Sequence, residues 1–238
     1  MPAGRARTDP RLYLTAAPLE PVEIPTLFEQ EGVVPVLAEP PTLRAPTVGW
    51  DLWTLDSPRF FAGRKTSLAN GYRKRVALYT GGTLSFVASC IEFLGWPRTA
   101  VQFVAEPVLN GPGLVEAVYN FALTYGAVRE HMSPPPARSR VWSGFRDLFL
   151  ASEARVRLGD HAAPEPSHDF PPRDFEASDD VAARVSYEVV VQVFEWFGFP
   201  RESIPFVDHE RGRLDLDALR THLAGTDLLA ASTASAQA

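Results

Sequence analysis

Apolar and polar residues alternate most regularly between Tyr72 and Cys90, YRKRVALYTGGTLSFVASC, where two runs of strand-forming residues flank Gly81-Gly82. This predicts a β-hairpin. With a two-residue loop neither face would be cleanly apolar. A three-residue loop, Thr80-Gly81-Gly82, sets Leu78 opposite Leu84 and Val76 opposite Phe86, and places Gly82 where the chain needs a positive φ. The other face then carries Arg73, Arg75, Ala77, Tyr79, Thr83, Ser85 and Val87, so a one-residue slip would bury arginines and the register is strongly specified. Cys90 falls on the apolar face.

The rest of the chain is organised around this hairpin. Arg11 to Thr15 predicts a short strand, after which prolines interrupt everything up to Thr47. Between them only a turn around Thr26 to Gln30 and a short strand at Val33 to Leu37 are expected, so residues 1–47 read as an extended arm lying on a core. Val48 to Leu55 is a strand candidate and Phe60-Phe61 begins another. Asn70-Gly71 turns the chain into the hairpin, giving one antiparallel sheet. Leu114, Val118, Phe121, Tyr125 and Val128 recur at helical spacing, with Val115, Tyr119 and Ala122 beside them. Such a broad apolar surface predicts a helix over 114–130 packed under the sheet and ended by Ser133 to Pro136. Ser139 to Leu150 is open between two readings: Arg140-Val141-Trp142 reads as strand, whereas Phe145, Leu148 and Phe149 suit a helical turn. Ala154 to Leu158 alternates as a strand.

Residues 159–178 turn to prolines, histidines and acids, and read as a linker or long surface loop. Asp179 to Phe197 has a period-two valine pattern, but its length, its Ser178-Asp179-Asp180 start and its Gly198 and Pro200 stop favour a helix. A last helix follows Asp215 as N-cap, buries Leu216, Leu219 and Leu223, and closes at Gly225 before a disordered tail at 226–238. The predicted fold class is α+β: a mainly antiparallel sheet centred on the 72–90 hairpin, a packed central helix and a C-terminal helical segment. Its divisions are an arm at 1–47, a core at 48–158, a linker at 159–178 and the helical segment at 179–225.

Composition narrows the function classes more than it selects one. At 238 residues with 45% hydrophobic and 22% charged content, the chain is long enough for one sizeable core or two small ones. The single cysteine forms no intramolecular disulfide, the N-terminal basic residues precede no apolar stretch, and no apolar run reaches the roughly 18 residues of a membrane span. A cytoplasmic protein with no membrane partner is the expectation. The net charge of -6 is uneven: residues 1–120 hold 11 basic and 11 acidic side chains, residues 121–238 hold 12 and 18. Within 57–91, Arg59, Arg64, Lys65, Arg73, Lys74 and Arg75 occur with no carboxylate, interleaved with Phe60, Phe61, Tyr72 and Tyr79. That composition suits phosphate contact with base stacking. It also suits a solvated face whose arginines pair with acids of the C-terminal half.

No cofactor or catalytic motif is present: Gly81-Gly82 lacks the following Lys and Ser/Thr of a phosphate loop, and no Gly-x-Ser-x-Gly occurs. His161, His168 and His209 lie beside carboxylates, yet none is spaced as a helical pair, and two fall in the expected linker. The candidate site is therefore a nucleic-acid-binding one, Arg64, Lys65, Arg73, Arg75 and Tyr79, with no catalytic or metal residues and no cofactor assigned.

Three stretches, GWDLWTLD at 49–56, NGYRKRVALYTGGTLSFVAS at 70–89 with FLGW at 93–96, and FEWFGFPRESIPFVDHERGRLDLDAL at 194–219, together resemble the C-terminal region of bacterial putative DNA-binding proteins that carry a Schlafen-type, AlbA-like domain. In that family nucleic-acid association is attributed to an N-terminal domain without a counterpart in this sequence, so no functional residue carries across. The resemblance implies an accessory module acting alone or beside a partner. Three functions remain open: an interaction module binding nucleic acid, another polyanion or an acidic protein through the basic hairpin face, a structural or assembly module with internally paired arginines, and a metal-dependent hydrolase. Convergence of His161, His168 and His209 would be needed for the last.

Overall fold

Residues 9–25, 32–44, 51–54, 60–68, 71–91, 94–95, 107–150 and 154–235 are described in the computed structural model. The first half runs through β1 (Arg11–Pro18), α1 (Val34–Ala38), β2 (Asp51–Thr54), β3 (Phe60–Leu68), β4 (Gly71–Tyr79), β5 (Leu84–Ser89), β6 (Val108–Leu109) and α2 (Gly111–Arg129). The second runs through β7 (Arg138–Arg146), β8 (Arg157–Leu158), β9 (His161–Ala162), β10 (His168–Asp169), β11 (Arg173–Glu176), α3 (Val181–Trp196), β12 (Val207–Asp208), β13 (Arg213–Leu214) and α4 (Leu216–Ser235). The fold is α+β. Its main sheet is antiparallel in the order β10-β7-β1-β5-β4-β3-β2, with β11 also paired to β7.

The β4–β5 hairpin has the register that alternation demands, Leu78 opposite Leu84 and Val76 opposite Phe86. Tyr79 N donates to Thr83 O at 2.9 Å and Gly82 carries φ +77°, so Thr80-Gly81-Gly82 is the loop. Val76, Leu78, Leu84, Phe86 and Cys90 are buried on the core side.

The middle of the sheet lies elsewhere than expected. β1, anticipated as a short strand within an arm, is held by β5 on one flank and β7 on the other, and Leu12, Leu14 and Ala16 are wholly buried. Because β5 and β7 are both antiparallel to β1 they run parallel to each other, with α2 in the connection between them, a split β-α-β unit. Asn110 caps α2 by accepting from Gly113 N at 3.0 Å, and Pro112 sits in the first turn, where a missing N–H costs nothing. Leu114, Val118, Phe121, Tyr125 and Val128 are all buried, so the helical stripe faces the core as read.

Other expectations are corrected. Val33–Leu37 is not a strand: Pro35 stands in the first turn of α1, and Val33 and Leu37, four residues apart, both point into the core. Of Ser139 to Leu150, the part through Arg146 belongs to β7, whose pairing along β1 outweighs the local helical spacing, while Phe149 makes only an isolated bridge to Arg155. The stretch 159–178 is no linker, since β9 pairs with β8 while β10 and β11 add to β7. Of its few apolar residues, Ala163 and Phe170 are buried where those short pairings reach the core. The segment from 179 packs into the same core: α3 lies against α2, and Val190, Val193 and Phe194 belong to one apolar cluster with the sheet. α3 ends as Gly198, at φ +94°, lets Phe199 N donate to Phe194 O at 3.0 Å. Asp215 caps α4 by accepting from Ala218 N at 3.0 Å, but the helix continues past Gly225 to Ser235 rather than giving way to a tail. The expected turn at Thr26 to Gln30, Asn70, the ends of the Val48 to Leu55 strand and residues 236–238 lie outside the described residues.

No described helix is long and apolar enough to cross a membrane. The described helices gather on the face of the sheet that carries Leu12, Leu14, Val76, Leu84 and Phe145; on the other face Tyr13, Thr15, Ser85 and Val87 are half-buried and Tyr79 and Trp142 exposed, so among the described residues that face is the less covered one.

Candidate nucleic-acid interface

The less covered face is built from the residues that alternate with the core. Register places Arg64 opposite Arg75, Arg75 opposite Val87, Val87 opposite Tyr13 and Tyr13 opposite Gly144, one row running across five strands. The next row passes Ala77, Ser85, Thr15 and Trp142. Neighbouring strands lie about 4.8 Å apart, so the surface from β4 to β7 is roughly 14 Å wide. Tyr79 is 41% exposed and Trp142 39%, and these are the exposed large hydrophobic side chains among the described residues. Both occupy this face. Tyr13 lies between them on β1 with the guanidinium of Arg146 over its ring at 5.7 Å.

The two ends of the face differ in charge. At the β7 end arginines are committed to acids: Arg140 donates to both carboxylate oxygens of Asp174, at 2.5 and 2.7 Å, and Arg146 to Asp169 at 2.5 Å. The hydrogen bond from Arg140 holds the Asp174 carboxyl below the usual carboxylate range, and the same bond raises Arg140 further. Gly144 permits this crowding, because a Cβ there would stand 2.6 Å from His168 O and 2.8 Å from Asp169 Oδ1. At the β3–β4 end the register sets basic positions against each other. Arg64 is directly opposite Arg75 in the phase of this face, with Asp51 opposite Arg64 in turn, while Lys65 is opposite Lys74 in the other phase. Like charges facing each other across a ladder are destabilising. β4 is separated from the acid-bearing β10 and β11 by β5, β1 and β7.

Of the residues read from the sequence, Arg64, Arg75 and Tyr79 fall on one set of alternate register positions, and Arg73, two residues before Arg75, keeps their phase. Lys65 does not. It follows Arg64 on the same strand and pairs with Lys74, so it belongs to the other phase, that of Val76 and Leu78. Tyr13 and Trp142 were missed. Tyr13 was legible in the R-L-Y-L-T alternation, whereas the exposure of Trp142 depends on which side of β7 the helices occupy.

The histidines do not converge. His168 is 2.7 Å from Glu165 and stacks on Trp196, His161 packs on Phe199, and His209 lies between Tyr187 OH at 3.1 Å and Arg201 O at 2.7 Å. Among the described residues no group of three or more His, Cys, Asp or Glu is placed to hold a metal ion. Cys90 is wholly buried, and burial pushes its thiol pKa well up, away from the nucleophilic thiolate.

Comparison of the chain with family models, curated proteins and solved structures found no match.

Proposed function

We propose that this chain is a non-enzymatic interaction module that binds nucleic acid across the less covered face of its sheet. The observation that carries the reading is the cross-strand opposition of Arg64 to Arg75 on a face that also presents Tyr79, Tyr13 and Trp142. Folding alone favours opposite charges or β-branched pairs at such positions, and like charges directly opposite are destabilising. A bound phosphate backbone turns that cost into attraction. Tyr79, Tyr13 and Trp142 on the same surface supply rings on which unpaired bases stack, which favours single strands over duplex. Contacts of this kind follow a backbone without reading base edges, so binding is sequence-tolerant. The net charge of -6 keeps it weak.

Fluorescence anisotropy with a labelled oligothymidylate and a duplex of matched length tests the reading. Affinity is expected to fall steeply between about 50 and 200 mM salt. Arg73→Glu with Arg75→Glu should abolish binding, and Trp142→Ala should weaken the single strand roughly tenfold while affecting duplex less. Absence of binding at low ionic strength, or binding that the double Arg→Glu variant keeps, removes the proposal. The Arg140–Asp174 and Arg146–Asp169 pairs, which tie short edge strands to β7, then favour a structural or assembly module.

A further inference from the structure

We propose that the edge of the sheet at β11 accepts one more strand, an extended segment of a protein partner carrying acidic residues at alternate positions. This surface is the rim of the sheet; it adjoins the β7 end of the nucleic-acid face at Arg138 and Asp174 but lies apart from Arg64, Arg75 and Tyr79.

β11 pairs with β7 along one flank, and along its other flank no backbone group has a backbone partner among the described residues. Half the N–H and C=O groups of such a strand point outward and template an incoming one. Charged side chains alone would suffice to blunt an edge. Here a cleft of about 600 Å³ runs between β11 and α3, with Phe175, Val181 and Val185 in its lining. A strand-and-helix cleft of this kind takes alternate side chains of an added strand, while main-chain hydrogen bonds hold its backbone.

The charge at the cleft selects the occupant. Arg184 lines it, is exposed and has no ion-pair partner among the described residues. Arg138 and Arg211 line it too, and their acids stand at 3.5 Å (Glu20) and 3.7 Å (Asp208), against 2.5 Å in the Arg140–Asp174 pair. These forks keep donors open for a carboxylate in a charge-assisted, bidentate geometry. Of the acids in the lining, Asp174 is bound by Arg140 and Glu188 lies 3.4 Å from Arg173, which leaves Glu176 to oppose the three arginines. A nucleic acid fits less well, because the one aromatic ring of the lining, Phe175, is packed edge-on against Tyr125.

The test uses the full chain and two fluorescein-labelled peptides, one alternating glutamate with valine and one alternating lysine with valine. The acidic peptide should bind and the lysine peptide should not. Arg184→Glu with Arg211→Glu should weaken binding roughly tenfold or more, while Arg75→Glu leaves it unchanged. Hydrogen exchange on the unmodified chain should show new protection of the 173–176 amides with peptide present, which needs no variant to fold. The idea is overturned if the acidic peptide fails to bind, if the lysine peptide binds equally, if the double variant retains binding, or if protection appears elsewhere. Light scattering that finds a dimer dissociated by the double variant would assign the edge to a second copy instead, and likewise overturn it.

Discussion

The phenol of Tyr125 on α2 donates to Ser139 Oγ on β7 at 3.2 Å, in a part of the core where Ser139 has no exposed surface. Burial is the main reason that the Tyr125 pKa is pushed up to about 12. An unfolded tyrosine titrates near pH 10. Below about pH 10 both states keep the proton and the stabilising contribution is complete. As pH rises from about 10 toward 12 the unfolded chain loses a proton that the folded chain holds, so stability falls, by on the order of 2 kcal/mol at the top of that window. Burial raises Tyr119 as well, so Tyr125→Phe should reduce the alkaline decline without abolishing it. Urea melts at pH 8 and near pH 11.5 measure this, and an unchanged decline in the variant would refute it.

Gly82 is held by conformation and by space. At φ +77° a side chain is strained, and a Cβ would lie 2.8 Å from Val22 Cγ2 and 3.0 Å from Met132 Cε. Gly82→Val should destabilise by about 2 kcal/mol or more. Gly81, whose Cβ would meet nothing within 4 Å, should tolerate alanine, and Thr83→Val should cost little. Equal shifts for the three variants in a denaturant titration would contradict the loop assignment.

Cys90 should react slowly with an aromatic disulfide reagent in the native state and rapidly in denaturant. Its side chain is wholly buried, its amide donates to Pro10 O at 2.7 Å, and burial followed by the nearby charge of Asp9 raises the thiol pKa. Rapid native labelling would mean that β1 and β5 separate readily, contrary to their place in the sheet.

Nucleic-acid binding should depend on both ends of the exposed face. Substituting Tyr79 by alanine is expected to weaken single-strand binding by a factor similar to Trp142→Ala, and the pair together by roughly the product, as for two separate stacking sites. Anisotropy titrations in which neither ring matters, but the arginines still do, would restrict the contact to phosphates.

Elements whose partners are close in sequence were legible. The hairpin register followed from alternation about Gly81-Gly82, because a strand joined to its neighbour by a short loop has only a few registers, and one of them buries apolar residues alone. The α2 and α3 helices were legible for a related reason: their stripes, caps and Gly198 stop are local. So was the basic composition of 57–91.

What the tertiary structure decided was pairing between distant segments. Nothing in R-L-Y-L-T reveals that β1 lies between β5 and β7, some 70 and 130 residues away, since a half-buried edge strand and a central one share the same alternation. The short strands of 159–178 form because β7 offers an open flank, which their own polar composition does not announce. The candidate sites divide along the same line. Arg75 and Tyr79 could be phased within one hairpin, but the opposition of Arg64 to Arg75, the shift of Lys65 to the other phase, the exposure of Trp142 and the cleft beside β11 are properties of neighbours brought together by folding. A side chain's phase is set by its own strand, whereas what stands across from it is set by whichever segment buries the most apolar surface there.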